Sequence, residues 1–106
     1  MRDNLKGGAL TETTLFILLS VYEPNHGYGI MRFIENETNN RLSLGAGTLY
    51  GAINTLVKKG WIQPFGDLSN SRKKQYIITD DGKQIVDNEI IRLKDVLNIS
   101  FKITGR

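Results

Sequence analysis

Apolar residues recur at helical spacing over most of the chain and give way to short β-branched and aromatic runs in one region. Leu15, Leu18, Leu19 and Tyr22 share one helix face, which predicts a first helix over residues 9–22. Leu10, Ile17 and Val21 lie beside that stripe, so the apolar surface is broader than one core face needs. Pro24 and Asn25 stop this helix. After Gly27 a second segment sets Ile30, Phe33 and Ile34 on one side and fades into Thr38, Asn39 and Asn40. Ser43 is placed to N-cap a third helix that runs to Lys59, with Gly60 where a terminating glycine belongs. Two strand-like pieces, 61–65 and 75–79, then flank a polar tip, and Pro64 suits an edge position. Thr79 caps a last helix reaching about Ile103, with Asp80 and Asp81 favourably placed against its dipole.

That last helix is too long for a globule of this size. At ~1.5 Å per residue it would measure about 36 Å, against a radius of gyration near 13 Å for a chain of ~100 residues. It carries Val86, Ile90, Leu93, Leu97 and Phe101 at near-heptad spacing, with Val96, Ile99 and Ile103 on a second stripe. A lone chain would expose much of this surface, which predicts a two-fold homodimer with Leu10, Val86, Ile90, Leu93, Leu97 and Phe101 in its interface.

The order is helix, helix, helix, strand, wing, strand, long helix. This is a mainly α fold with a small β-hairpin, a winged helix-turn-helix followed by a dimerisation helix. The predicted divisions are an N-terminal arm over 1–8, a winged-helix domain over 9–79, the dimerisation helix over 80–103 and a tail over 104–106. A chain of 106 residues has room for one such domain. No apolar run approaches the ~20 residues of a membrane span, and no signal peptide opens the chain, so the expected setting is the cytoplasm with no membrane partner. With no cysteine, disulfides, iron–sulfur clusters and thiolate zinc sites are excluded. A single histidine, His26, is too little for a metal centre or a Ser/His/Asp triad, and it reads as a turn residue with a hydrogen-bonded ring. No enzyme activity, metal or cofactor is expected.

Charge is informative once it is located. Lys58, Lys59, Arg72, Lys73 and Lys74 face only Asp67 within their own window, which holds the entire basic excess behind the net charge of +3. A solvated lysine-rich loop and a polyanion-binding surface both fit that window taken alone. The third helix separates them. Leu49, Ile53, Leu56 and Val57 form its core stripe, while the opposite side carries Gly47, Thr48, Gly51, Thr55 and Lys58, flanked by Tyr50 and Asn54 on one edge and Lys59 on the other. Such a face can lie close to a phosphate backbone and offer hydroxyl, amide and methyl groups to base edges. The glycine run from Gly45 to Gly51 resembles a dinucleotide fingerprint, but it lacks the preceding strand and the βαβ unit that fingerprint requires. Trp61 and Tyr76 read as packing in the small sheet, and helix capping accounts for the Asp80–Asp81 pair.

The expected DNA-binding residues are therefore Thr48, Tyr50, Asn54, Lys58, Lys59, Arg72, Lys73 and Lys74, acting on double-stranded operator DNA. Three blocks also resemble the PadR family of bacterial transcriptional regulators. They are His26-Gly27-Tyr28-Gly29-Ile30, then Gly47-Thr48-Leu49-Tyr50-Gly51-Ala52-Ile53 with Leu56 and Gly60, and Arg72-Lys73-Lys74-Gln75-Tyr76 running into Thr79-Asp80-Asp81-Gly82. The likeness covers roughly residues 8–100 and is closest to the compact subfamily ending in one helix. It implies a winged-helix domain with a C-terminal dimerisation helix, acting usually as a repressor relieved by a small molecule. On that basis Ile17, Val21, Leu93, Val96 and Leu97 are read as apolar residues left over at the first-helix and last-helix surfaces. They would line a cavity between subunits for a flat aromatic or lipophilic effector. The competing reading is a winged-helix module for protein–protein contact without specific DNA binding.

Overall fold

The structure, a computed structural model, describes residues 8–66 and 74–106. Its elements are α1 (Glu12–Ser20), β1 (Asn25–His26), α2 (Gly27–Glu37), α3 (Ala46–Lys59), β2 (Ile62–Phe65), β3 (Gln75–Ile78) and α4 (Asp80–Thr104). The predicted mainly helical architecture is present, with α2 and α3 forming the helix-turn-helix and β2 and β3 the hairpin. Of the predicted N-terminal arm, all but Gly8 lies outside the described residues.

The sheet has a strand that the hydrophobic pattern does not predict. Its order is β1-β3-β2 and both pairings are antiparallel, with Asn25 opposite Tyr76 and His26 opposite Gln75. Two residues are too few to display alternation, so β1 has no periodic signature. His26 then caps α2, its Nδ1 accepting from the Gly29 backbone N–H at 3.0 Å.

Helix ends follow local chemistry. Thr11 caps α1, its hydroxyl accepting from the Thr14 N–H at 3.1 Å, so the helix starts at Glu12, three residues later than expected. The Asn39 and Trp61 regions close α2 and α3 in the same way. Asn39 and Gly60 adopt left-handed backbone, and the following residues, Asn40 and Trp61, donate back to Glu35 and Leu56. Ser43 does not cap α3. Its hydroxyl donates to the Glu35 carboxylate at 2.9 Å, and the helix starts three residues later behind Gly45, without a side-chain cap.

The core joins the four helices, β2 and β3 through Ile17, Leu18 and Val21, Ile30 and Ile34, Leu49, Ile53 and Leu56, Ile62 and Ile78, and Val86. This corrects two expectations. Ile17 and Val21 are fully buried within the chain and do not lie at a surface, because α1 is covered by both α2 and α4. Val86 is likewise enclosed at the start of α4 and is not available to a partner, and Leu10 is nearly so. From Ile90 onward, the apolar residues of α4 are exposed. The helix projects, and the chain measures 54 × 28 × 22 Å.

One charged group is buried where α4 leaves the core. Glu89 is 2% exposed and receives two hydrogen bonds from Arg92, at 2.8 and 2.7 Å. Those bonds hold its carboxyl below the usual carboxylate range against the opposing effect of burial, helped by the Leu10 backbone N–H. Glu12 is lowered similarly by its paired hydrogen bonds from Arg41, which fasten the turn after α2 to the start of α1.

Replacing Glu89 with glutamine removes the charged acceptor of Arg92 and should lower stability by about 1–3 kcal/mol at neutral pH. A depressed folded pKa contributes stability above the ordinary carboxylate value of 4.5, and that contribution is lost as pH falls through the folded value. Thermal melts of the two proteins should therefore converge in acid. A gap of constant size down to strongly acidic pH would contradict this account of Glu89.

Candidate nucleic-acid interface

Helix α3 presents two chemically distinct sides. Leu49, Ile53 and Leu56 are buried in the core, and Val57 lies half-buried beside them. Gly47, Thr48, Tyr50, Gly51, Asn54 and Lys58 are all exposed on the other side. A Cβ added at Gly47 or Gly51 would meet open space, so this face is a shallow, unobstructed strip. The Thr55 hydroxyl is turned back onto the Gly51 carbonyl at 3.1 Å and is engaged within the helix. The helix contains no acidic residue, and Lys58 and Lys59 occupy its last turn. That position also suits the negative end of the helix dipole, which gives the two lysines a structural role as well.

The remaining predicted residues occupy different surroundings. Lys59 lies with its Nζ 4.7 Å from the centre of the Trp61 ring, which orients the ammonium group. Lys74, exposed immediately before β3, has its Nζ 5.9 Å from the Tyr76 ring centre. Trp61 and Tyr76 are themselves buried, as expected of packing residues in the sheet. Arg72 and Lys73 lie outside the described residues.

Tyr50 is held by a neighbour. A Cβ on Gly27 would overlap the Tyr50 hydroxyl, so the absence of a side chain at the start of α2 creates the seat on which this ring rests. The strand pairing of His26 with Gln75 brings the same start of α2 beside β3, one residue from Lys74. The exposed side of α3, the first turn of α2 and the base of the wing thus meet around Gly27. Tyr28 and Arg32 extend from this point along α2, both exposed, with the Arg32 Nη1 donating to the Tyr28 hydroxyl at 3.2 Å. Sequence reasoning passed over this pair, although its four-residue spacing on a helix is legible.

What the surface can do is bind an extended anion and read polar edges. It has hydroxyl, amide and ammonium groups on an open convex strip. Among the described residues there is no cluster of three or more His, Cys, Asp or Glu able to hold a metal ion, and no helix long and apolar enough to cross a membrane.

Comparison with known proteins points the same way. The transcriptional regulator PadR-like family model matches residues 15–88. A relative, uncharacterized protein X of Lysinibacillus sphaericus, is 30% identical over 104 residues, spanning 93% of this chain and 94% of that protein. Among solved structures, a PadR family transcriptional regulator from Eggerthella lenta aligns with a TM-score of 0.72 at 21% identity, covering 86% of this chain and 80% of that one. BpsR of Bordetella bronchiseptica, whose DNA binding is regulated by 6-hydroxynicotinic acid, aligns with a TM-score of 0.67 at 16% identity over 87% of this chain and 65% of its own. At these identities the structural matches establish a shared fold.

The seating of Tyr50 can be tested by a double-mutant cycle. Gly27→Ala alone should destabilise the protein by about 1 kcal/mol as the ring is displaced, whereas in a Tyr50→Ala background the same change should be nearly neutral. Equal cost in both backgrounds, measured by denaturant unfolding, would mean that Tyr50 does not occupy that seat.

Proposed function

The chain belongs to the PadR-like family of transcriptional regulators, and from that premise we propose that it is a repressor that binds double-stranded operator DNA as a homodimer and is released by a small ligand. The observation that carries this reading is the open, acid-free face of α3 beside the base of the wing. Thr48 and Asn54 read base edges in the major groove, and the Tyr50 hydroxyl reaches either an edge or a phosphate. Lys58, Lys59 and Lys74, with Arg72 and Lys73 directly before Lys74 in the sequence, neutralise phosphates. Such a protein works in the cytoplasm, where the chromosome lies.

The partner for α4 is a second copy of the chain. Ile90, Leu93, Leu97 and Phe101 are exposed on one side of a helix that nothing else in the described chain covers at that end. Pairing across a two-fold axis buries the stripe and gives two recognition helices about 34 Å apart, matched to palindromic half-sites one turn apart. Ligand control is supported by a groove of about 320 Å³ between α1 and α4, lined by Leu10, Leu15, Phe16 and Leu93 with Glu12, Glu89 and Arg92. This groove, which shares Leu93 with the expected cavity, replaces Ile17 and Val21 in the proposal, while Val96 and Leu97 lie exposed farther along α4. A lipophilic or aromatic compound lodged there would favour one setting of α4 over another and thereby change DNA affinity.

Binding isotherms on a selected operator and on random DNA, at several salt concentrations, test the DNA-binding surface. Lys58→Gln and Lys74→Gln should weaken both DNAs alike and reduce the salt slope by about 0.9 for each phosphate that is no longer neutralised. Thr48→Ala and Asn54→Ala should instead reduce operator preference by roughly 1–3 kcal/mol for each base edge that is no longer read, with little change in slope. Weak, salt-independent binding by the wild-type protein would favour a protein-interaction module.

Assembly is checked separately by sedimentation equilibrium. The full chain should be dimeric at micromolar concentration, and Leu97→Glu should shift it toward monomer by placing a charge in the apolar stripe. A soluble wild-type monomer would exclude the proposed dimer.

A further inference from the structure

We infer that Tyr28 and Arg32 on α2 form a second phosphate-binding patch, contacting the DNA backbone at the side of the groove that the N-terminal end of α3 enters. This rests on the DNA-binding reading of α3 and adds to it a pair of residues outside the basic window.

The contrast among Arg32, Arg41 and Arg92 supports the assignment. Arg41 gives two short hydrogen bonds to Glu12, at 2.9 and 2.6 Å, and Arg92 gives two to the buried Glu89. In both, the carboxylate takes the fork of the guanidinium, and the pair fastens one element to another or neutralises a buried charge. Arg32 is different. Its Nε approaches the Glu35 carboxylate only at 4.0 Å, while the other Glu35 oxygen receives the Ser43 hydroxyl at 2.9 Å. One Arg32 nitrogen donates to the Tyr28 hydroxyl, and its side chain is 56% exposed. Planar guanidinium groups with free fork geometry are suited to phosphate oxygens. The Tyr28 hydroxyl accepts from Arg32 and retains its own proton to donate to the same anion.

Position supplies the second argument. Helix-turn-helix proteins place the N-terminal residues of the recognition helix against base edges, so the neighbouring phosphates fall to whatever flanks that end. Here the flanking element is the first turn of α2, because Tyr50 rests over Gly27 and Tyr28 follows directly in the chain. Lys74 stands next to the residue that pairs with His26. Lys58 is eight residues beyond Tyr50, about 12 Å further along the helix axis. The α3 lysines therefore leave the entering end without an arginine or lysine of its own, and Arg32 with Lys74 supplies the charge there.

The test uses the full-length protein and a labelled random-sequence DNA duplex, titrated at several salt concentrations. Arg32→Gln should reduce the salt slope by about 0.9, and Arg32→Lys should restore the slope because it restores the charge. Tyr28→Phe should weaken binding roughly threefold with an unchanged slope, as expected for one neutral hydrogen bond. Asn36→Ala, at an exposed position farther along α2, should change neither. If the wild-type protein binds with a steep salt dependence and both Arg32 variants match it in affinity and slope, the patch is refuted while the DNA-binding reading stands. If the wild-type protein fails to bind the duplex, both readings fall together. Loss of binding in Arg32→Lys as severe as in Arg32→Gln would also refute a charge contact, since it would assign Arg32 a shape-dependent role in α2.

Discussion

The rest of the architecture depends on the close approach of Gly82 to the backbone of Trp61. A Cβ at Gly82 would overlap the Trp61 carbonyl oxygen, so α4 begins in direct contact with the chain that leaves α3. The same carbonyl accepts the Thr79 N–H at 3.0 Å. The Thr79 hydroxyl donates to the Gly60 carbonyl at 2.6 Å and accepts from the Gly82 N–H at 3.1 Å, so its donor and an acceptor site are both used. Gly60, in left-handed backbone, turns the chain out of α3 and directs Trp61 into the core. The end of the recognition helix, both wing strands and the start of the long helix are thereby tied within a few residues. Little independent motion between α3 and the first turn of α4 is compatible with that knot.

This constraint gives the proposed regulation a physical route. A junction tied on one side transmits changes made on the other, and α4 is a lever 25 residues long. The groove between α1 and α4 lies where the lever leaves the core, next to the Glu89–Arg92 pair. A ligand there need not touch α3. It has only to bind one setting of α4 more tightly than another, and a differential of about 1–3 kcal/mol is the ordinary size of such coupling. In a two-fold dimer the two recognition helices are set by the angle between the two α4 helices, so a small change at the lever alters their spacing against fixed half-sites.

The sequence made the polar and apolar sides of α3 legible because its core stripe is unambiguous: Leu49, Ile53 and Leu56 are buried and their opposites are glycine, threonine, asparagine and lysine. In α1 the same reasoning had too little contrast. Leu15, Phe16, Ile17, Leu18 and Leu19 are consecutive, and helical spacing can be traced through more than one face of such a run. Tertiary packing decided the matter by putting α2 on one side and α4 on another, which enclosed Ile17 and Val21 and left Tyr22 exposed. In α4 the apolar stripe keeps near-heptad spacing from Val86 to Leu97 and reaches Phe101, while the covering surface ends near Arg92. Periodicity reports which face is apolar; it carries no mark for the point at which the rest of the chain stops covering it. The Ser43 cap failed for a related reason, since Glu35, eight residues away, competes for its hydroxyl.

The glycines separate what the chain needs for itself from what it presents outward. At Gly27, Gly29 and Gly82 an added Cβ would overlap the Tyr50 hydroxyl, the Asn25 side-chain oxygen and the Trp61 carbonyl respectively, so folding alone explains the residue. At Gly47 and Gly51 nothing lies within reach, neither has left-handed backbone, and both sit inside α3. A glycine in a helix interior, as at Gly51, costs about 1 kcal/mol relative to alanine, and no contact with the described residues offsets that cost. The two positions share one strip with Asn54 and Lys58, on the side of the helix opposite the core. Helical stability is reduced on the one face where bare backbone would let another surface approach. A helix selected only to pack beneath solvent would carry alanine, lysine or glutamate there. The DNA contact proposed for α3 would supply that compensation from outside, and the absence of acidic side chains along the helix fits a polyanion in that place.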